Sequence, residues 1–216
     1  MAVVYLVRHG QASFGAADYD VLSELGHRQS AVLGAELRRR GVQPDVVLSG
    51  SMRRQLSTAR ETLATAAIHV EPQVDERWNE YDHVDVLDRH IGSGRSPQSI
   101  LDAALRGWVA AGESSPCAES WPKFAARVTV ALAELTASLG RGGSAVVFTS
   151  GGVIGAAVSQ LLGLRSTEPT GFLALNRVTV NAGITKIVHG RSGASLVSFN
   201  DHAHFEGDHA ALLSYR

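Results

Sequence analysis

The run Ala2-Val3-Val4-Tyr5-Leu6-Val7, followed at once by Arg8-His9-Gly10, decides how this chain is built. Six apolar residues with no alternation predict a strand covered on both faces, as in a parallel sheet. The abrupt change to Arg-His-Gly marks the strand's carboxyl end. Outward from there, Ser23 is placed to cap a helix whose apolar positions Leu25, Val32, Leu33 and Leu37 fall on one side, with Gly41 as the stop signal. Arg38-Arg39-Arg40 reads as a solvated last turn that complements the helix dipole. Val46-Val47-Leu48 predicts a second buried strand, Arg53 to Ala67 a second helix, and Ile68-His69-Val70 with Val74 a third strand region.

Further along, Phe124, Val128, Leu132, Leu135 and Leu139 keep helical spacing and lead into a strand at Ala145 to Phe148. The uncharged run from Gly142 to Leu164 is long enough by count to span a bilayer. Its Gly151-Gly152 pair and its Ser, Thr and Gln residues fit a buried strand, a tight turn and a helix better. Val178-Thr179-Val180, Ile184 to Val188 and Leu196 to Phe199 are expected to be the last strands, the final two joined by a turn through Gly190 and Gly193. Strands separated by helices throughout imply an α/β fold, a three-layer αβα sandwich around a mostly parallel sheet. From Trp78 to Pro122 the pattern loosens, with Gly92-Ser93-Gly94 and Gly112 to Pro116 around one helical segment at Ile100, Leu101, Leu105 and Trp108. A segment of about residues 82–122 is too short to own a core, so it is expected to be an insertion over the sheet of one domain spanning 1–216.

Composition narrows the function classes. The 216 residues are 44% apolar, 19% charged and 6% aromatic, an ordinary globular profile. Twenty basic against twenty-one acidic residues give a net charge of -1. This argues against nucleic-acid or membrane-surface partners, which require surplus positive charge. Only Lys123 and Lys186 are lysines, and arginine suits bidentate clamping of phosphate or carboxylate. The single Cys117 excludes an intramolecular disulfide and a cysteine-built zinc site, and its neighbours Ser115, Pro116 and Ala118 supply no activating base. Ala2 to Val7 lacks a preceding basic region and a cleavage site, so a cytoplasmic location is expected. Asp82, His83, Asp85 and Asp88 match no calcium loop or zinc helix, and no metal or cofactor is expected.

In a parallel sheet, ligands bind where strands end and helices begin. Here those ends carry Arg8-His9-Gly10, Ser49-Gly50-Ser51-Met52-Arg53-Arg54 and Thr149-Ser150-Gly151-Gly152. Arg8 or Arg54 can grip a phosphoryl group through parallel N–H donors, and the Gly151-Gly152 backbone at a helix start offers N–H groups to an anion. His9 between such cations is a nucleophile held neutral near pH 7, because flanking positive charge disfavours imidazolium. Gly10 would let a phosphate approach the backbone. Imidazole attack on a phosphoryl group gives a phosphohistidine that water then releases.

Leu6-Val7-Arg8-His9-Gly10-Gln11-Ala12-Ser13 resembles the opening signature of the histidine phosphatase superfamily, the phosphoglycerate mutase-like fold. The likeness continues through Leu22 to Gln29, through the second-arginine motif Arg54-Gln55-Leu56-Ser57-Thr58-Ala59, through Trp78-Asn79-Glu80, through Glu119-Ser120 with Arg127, and through Asn200-Asp201-His202-Ala203-His204. The resemblance implies His9 as nucleophile, Arg8 and Arg54 with Gly151 as the phosphate site, and Glu80 as the acid that protonates the leaving oxygen and later activates water. Gln11 and Ser13 are further candidates. The family's usual second histidine would stand where this chain has Ser150. Three readings of Ser150 follow: a working phosphatase in which Ser150 shares the missing donor role with His83 or His204, a slow generalist phosphatase, or a protein that binds phospholigands without turnover.

The expected activity is hydrolysis of phosphomonoesters through phosphohistidine, on a small phosphorylated metabolite or a phosphoprotein. A phosphoglycerate mutase is disfavoured, because mutases of the family continue Arg-His-Gly with a Glu-Thr-x-Trp-Asn type sequence where this chain has Gln11-Ala12-Ser13-Phe14-Gly15. The 82–118 segment also mixes Arg89, Arg95 and Arg106 with acidic residues rather than forming a basic lid.

Overall fold

A computed structural model describes residues 1–13, 19–90, 96–164 and 169–215. Residues Phe14, Gly15, Gly92 to Gly94 and Arg95 therefore lie outside the described chain. Six strands form one sheet in the order β3-β2-β4-β1-β5-β6. Strand β1 (Ala2–Arg8) pairs in parallel with β4 (Ser144–Thr149), β4 with β2 (Val46–Ser49), and β2 with the two-residue β3 (Gln73–Val74). On the other side of β1 runs the antiparallel hairpin β5 (Ile184–Gly190) and β6 (Gly193–Asp201), turning at Gly190 and at Gly193, whose φ is 96°. The mostly parallel α/β sheet agrees with the expectation from Ala2 to Val7, since β1 lies between two neighbours.

Two apolar clusters cover the two faces of the sheet. Leu33 and Leu37 of α1 (Glu24–Arg39) and Ala59 and Leu63 of α2 (Arg53–Ala66) pack with Val7, Val47 and Phe148. On the opposite face, Phe124, Val128 and Leu132 of α5 (Trp121–Ser138) and Val153 and Ile154 of α6 (Gly151–Leu161) pack with Val4, Leu6 and Val147. Ser23 caps α1 as expected, its side chain accepting from the Gly26 N–H. The segment expected to be an insertion contains α3 (His83–Arg89) and α4 (Pro97–Ala111), and Val86, Leu105 and Trp108 join the same cluster as Leu6. The uncharged run divides into β4, a turn and α6, and no helix among the described residues is long and apolar enough to cross a membrane.

Two expectations are corrected. Val178-Thr179-Val180 is not a strand: α7 (Pro169–Val178) ends there, and 179–183 forms an irregular connection into β5. Its polar groups are occupied by β1 and by Asn200 rather than by a ladder, with Asn200 Oδ1 accepting from Val180 N and Asn200 Nδ2 donating to the Val178 carbonyl, both at 2.7 Å. The third strand is confined to Gln73–Val74, so the apolar triplet Ile68 to Val70 lies outside the sheet. Ile68 packs into the α1/α2 cluster while Val70 is exposed, so its hydrophobicity served helix packing instead.

Candidate active site

Register sets the site. Arg8 lies opposite Thr149, and Ser49 opposite Phe148, so the carboxyl ends of β1, β2 and β4 finish at one level. The residues that follow, His9, Gly50 and Ser150, therefore meet at one edge of the sheet. The irregular segment after α7 holds the first of them. Ala182 N donates to the Arg8 carbonyl, Asn181 Nδ2 donates to the His9 carbonyl, and an Arg8 Nη1 donates to the Thr179 carbonyl. Asn200 and the His204 ring, whose Nε2 lies 3.1 Å from the Ala182 carbonyl, brace that segment from behind.

His9 is buried, and its two ring contacts agree on one tautomer. Nδ1 is 2.7 Å from the Gly10 carbonyl, which can only accept, so Nδ1 carries the proton. Nε2 receives a hydrogen bond from Arg54 Nε at 3.2 Å and so presents a lone pair. Burial, then Arg54 and Arg8, hold the His9 pKa well below the ordinary imidazole range. Arg54 is 6% exposed and its Nη1 also donates to Asp20 at 2.6 Å, with the Tyr19 ring against its guanidinium. Arg8 donates to the Thr179 and Tyr215 carbonyls through Nη1, whereas its buried Nε has no partner among the described residues. A guanidinium donor without an acceptor beside a neutral imidazole is an anion site in waiting.

Glu80 faces this pair. One carboxyl oxygen accepts from Gly152 N at 2.9 Å, at the start of α6, and the other from Tyr81 N at 3.3 Å. Burial raises its pKa, opposed by the Gly152 N–H, Arg54 and Arg8. The approach explains Gly152: a Cβ there would lie 2.2 Å from Glu80 Oε1 and 2.6 Å from the Tyr81 ring. The loop carrying Glu80 is fixed by Arg127, which pairs with Glu119 through two hydrogen bonds and donates to the Arg77 and Asn79 carbonyls. Trp78, fully buried, offers its carbonyl to Thr149 Oγ1 at 2.6 Å.

These groups open into a cavity of about 230 Å³ lined by Arg8, His9, Arg54, Glu80, His83 and Gly151, all named from sequence. Burial and Arg54 lower the His83 pKa, and its ring lies 5.4 Å from that of Tyr19. Four other sequence candidates do not line it. Ser150 is fully buried and its hydroxyl accepts from Gln55 Nε2 at 2.8 Å, which turns it into the core. Gln11 accepts from Ser23 Oγ and Ser13 donates to the Leu22 carbonyl, so both secure the loop before α1. His204 packs on Phe205 behind the 179–183 segment. Gly10 also serves packing: a Cβ there would lie 2.6 Å from the Gly26 carbonyl, so its small size allows the close passage of α1. Sequence reasoning missed Tyr19, Asn176, Asn181 and Tyr215, which line the cavity from distant positions without a local signal. No group of three or more His, Cys, Asp or Glu side chains among the described residues could hold a metal ion.

Residues 4–202 match the family model described as the histidine phosphatase superfamily (branch 1). No curated protein matches the chain. Among solved structures, a mycobacterial glucosyl-3-phosphoglycerate phosphatase is 26% identical with a TM-score of 0.66, covering 93% of this chain and 99% of its own. Phosphoserine phosphatase from Entamoeba histolytica, at 20% identity and TM-score 0.67 over 94% and 99% of the two chains, shares the fold. So does phosphoglycerate mutase from Bacillus anthracis, at 18% identity and TM-score 0.67 over 94% of each chain.

Proposed function

Since the chain belongs to branch 1 of the histidine phosphatase superfamily, we propose that it hydrolyses phosphomonoesters through a phosphohistidine on His9. The observation that carries this reading is the His9 tautomer: a buried, neutral imidazole with its Nε2 lone pair facing Arg54. In the first step the Nε2–P bond forms as the P–O ester bond breaks, and the proton of Glu80 passes to the leaving oxygen. Burial keeps that carboxyl protonated to a higher pH than an exposed one. Arg54 Nε turns from Nε2 to a phosphoryl oxygen, and the unpartnered Arg8 Nε takes another. In the second step water adds to phosphorus, the N–P bond breaks, and the Glu80 carboxylate takes the water proton.

The wall contributed by α3 and α4 supports a hydrolase over a mutase, since it brings Leu87, Leu101 and Leu105 rather than a ring of cations. The substrate is a small phosphorylated compound, and the chemistry uses no metal. Phosphate release from phenyl phosphate, with and without EDTA, by wild type and His9→Ala tests this. Turnover insensitive to EDTA and lost in the variant is expected, whereas equal turnover by both proteins overturns the assignment.

A further inference from the structure

The cavity is chemically divided. At one end stand Arg8, His9, Arg54 and Glu80, and the opposite wall comes from the insertion. In α4, Gln98, Leu101, Asp102 and Leu105 recur at i, i+3, i+4 and i+7 and so share one helix face, which lines the cavity. Leu87 of α3 completes an apolar wall. At its rim Asp102 accepts from Arg177 of α7 with one carboxylate oxygen and from Gln98 Nε2, at 2.5 Å, with the other. Among the described residues, Arg177 is the one guanidinium lining the cavity besides Arg8 and Arg54. The Asp102 side chain is 16% exposed and that of Arg177 53%, so the pair sits at the cavity mouth, where the carboxylate offsets the guanidinium.

We propose that this site selects phosphomonoesters with a small, apolar, uncharged leaving group, aryl or short alkyl, and that Asp102 sets the preference by engaging Arg177. The inference rests on the phosphatase reading and deepens it. A carboxylate on the leaving group would lose its water against three leucines, and the guanidinium nearest that wall, Arg177, is already engaged by Asp102. A hydrocarbon leaving group loses nothing by the same move and gains from leaving water. The volume of about 230 Å³ lies below the roughly 300 Å³ at which sites for drug-sized ligands begin, which favours a small leaving group. Substrates named for similar solved structures, phosphoserine and glucosyl-3-phosphoglycerate, carry a carboxylate. This cavity is therefore expected to differ from theirs in selectivity.

The test compares kcat/KM for phenyl phosphate, 4-carboxyphenyl phosphate and 3-phosphoglycerate, read as inorganic phosphate release. The two aryl esters differ little in leaving ability, so their ratio reads recognition of the carboxylate. Wild type is expected to favour phenyl over 4-carboxyphenyl phosphate by tenfold or more and to work poorly on 3-phosphoglycerate. Asp102→Asn frees Arg177 and is expected to reduce that ratio several-fold, and adding Arg177→Gln should restore it. A wild-type preference for the carboxylated esters, or no preference, overturns the inference while leaving the phosphatase reading intact. An unchanged ratio in folded Asp102→Asn removes Asp102 from the account. Absence of turnover on all three esters defeats the phosphatase reading itself and this inference with it.

Discussion

Arg54 Nε donates to His9 Nε2 across 3.2 Å, so the guanidinium and the imidazole are locked together before any ligand arrives. The contact has two consequences. It fixes the lone pair on Nε2, because a protonated Nε2 would point its hydrogen at another donor, and it places a cation beside the atom that attacks phosphorus in the proposed mechanism.

The pH profile follows from that contact and from Glu80. In the proposed mechanism the reactive form has His9 neutral and Glu80 protonated. His9 is neutral above its pKa, which burial and the two arginines push well below the imidazole range, so kcat/KM should rise with pH only on the acid side. Glu80 is protonated below its pKa, which burial raises, so kcat/KM should fall as pH climbs past the ordinary carboxylate range. Glu80→Gln is expected to abolish the alkaline limb and to lower kcat by about 10² to 10³. An unchanged profile in that variant would remove Glu80 from the proton transfers.

Gly152 tests the close approach of Glu80. Its Cβ would overlap Glu80 Oε1 at 2.2 Å, so Gly152→Ala must displace the carboxyl or the helix start. Activity should fall by about 10², the scale of a lost acid–base group, for a stability change of roughly 1–3 kcal/mol. Thermal unfolding beside kinetics separates the two, and full activity would show that Glu80 need not sit where it does.

Ser150 and His83 are expected to separate cleanly. Ser150 Oγ accepts from Gln55 Nε2 within the core, so Ser150→Ala should lower stability by about 1 kcal/mol and leave kcat/KM within threefold. His83 lines the cavity, and His83→Ala should lower kcat by about 10², the cost of one donor to the transferring group. The reverse pattern would return Ser150 to the reaction.

Much of this could be read in the sequence because strand ends are local events. The break from Val7 to Arg8 marked the strand end at which His9 stands, and the motif register picked out Arg54 and Glu80, which line the same cavity as His9. What escaped depends on long-range placement. Thr179 and Val180 have strand composition, yet their partners are Arg8 and Asn200, distant in sequence, and β propensity reads neighbours on a sheet rather than such braces. Ser150 occupied the expected position in the chain, but its direction is set by Gln55 on α2. Asn176 and Asn181 reach the cavity from a helix end and a loop that carry no periodic signal.

Acid stability gives a test away from the site. Burial lowers the His204 pKa to about 4, so the unfolded chain binds a proton that the native one refuses. The contribution of His204 is therefore fully present above about pH 6.5, the ordinary histidine value, and is lost as pH falls from there towards about 4. Glu36, paired with Arg39 and Arg40, has its pKa lowered to about 2, and its contribution, present above the ordinary carboxylate range, is lost further down. Urea midpoints between pH 7 and pH 4 should slope downward, and His204→Gln should flatten that slope. An equal slope in the variant would assign the loss to other groups.

The most direct measurement is the intermediate on His9. Wild type mixed with phenyl phosphate, quenched within the first turnovers and analysed by mass spectrometry, is expected to carry an acid-labile phosphoryl group on His9, more of it in Glu80→Gln if the second step slows, and none in His9→Ala. Turnover by wild type without that adduct, matched by undiminished turnover in His9→Ala, would contradict the account.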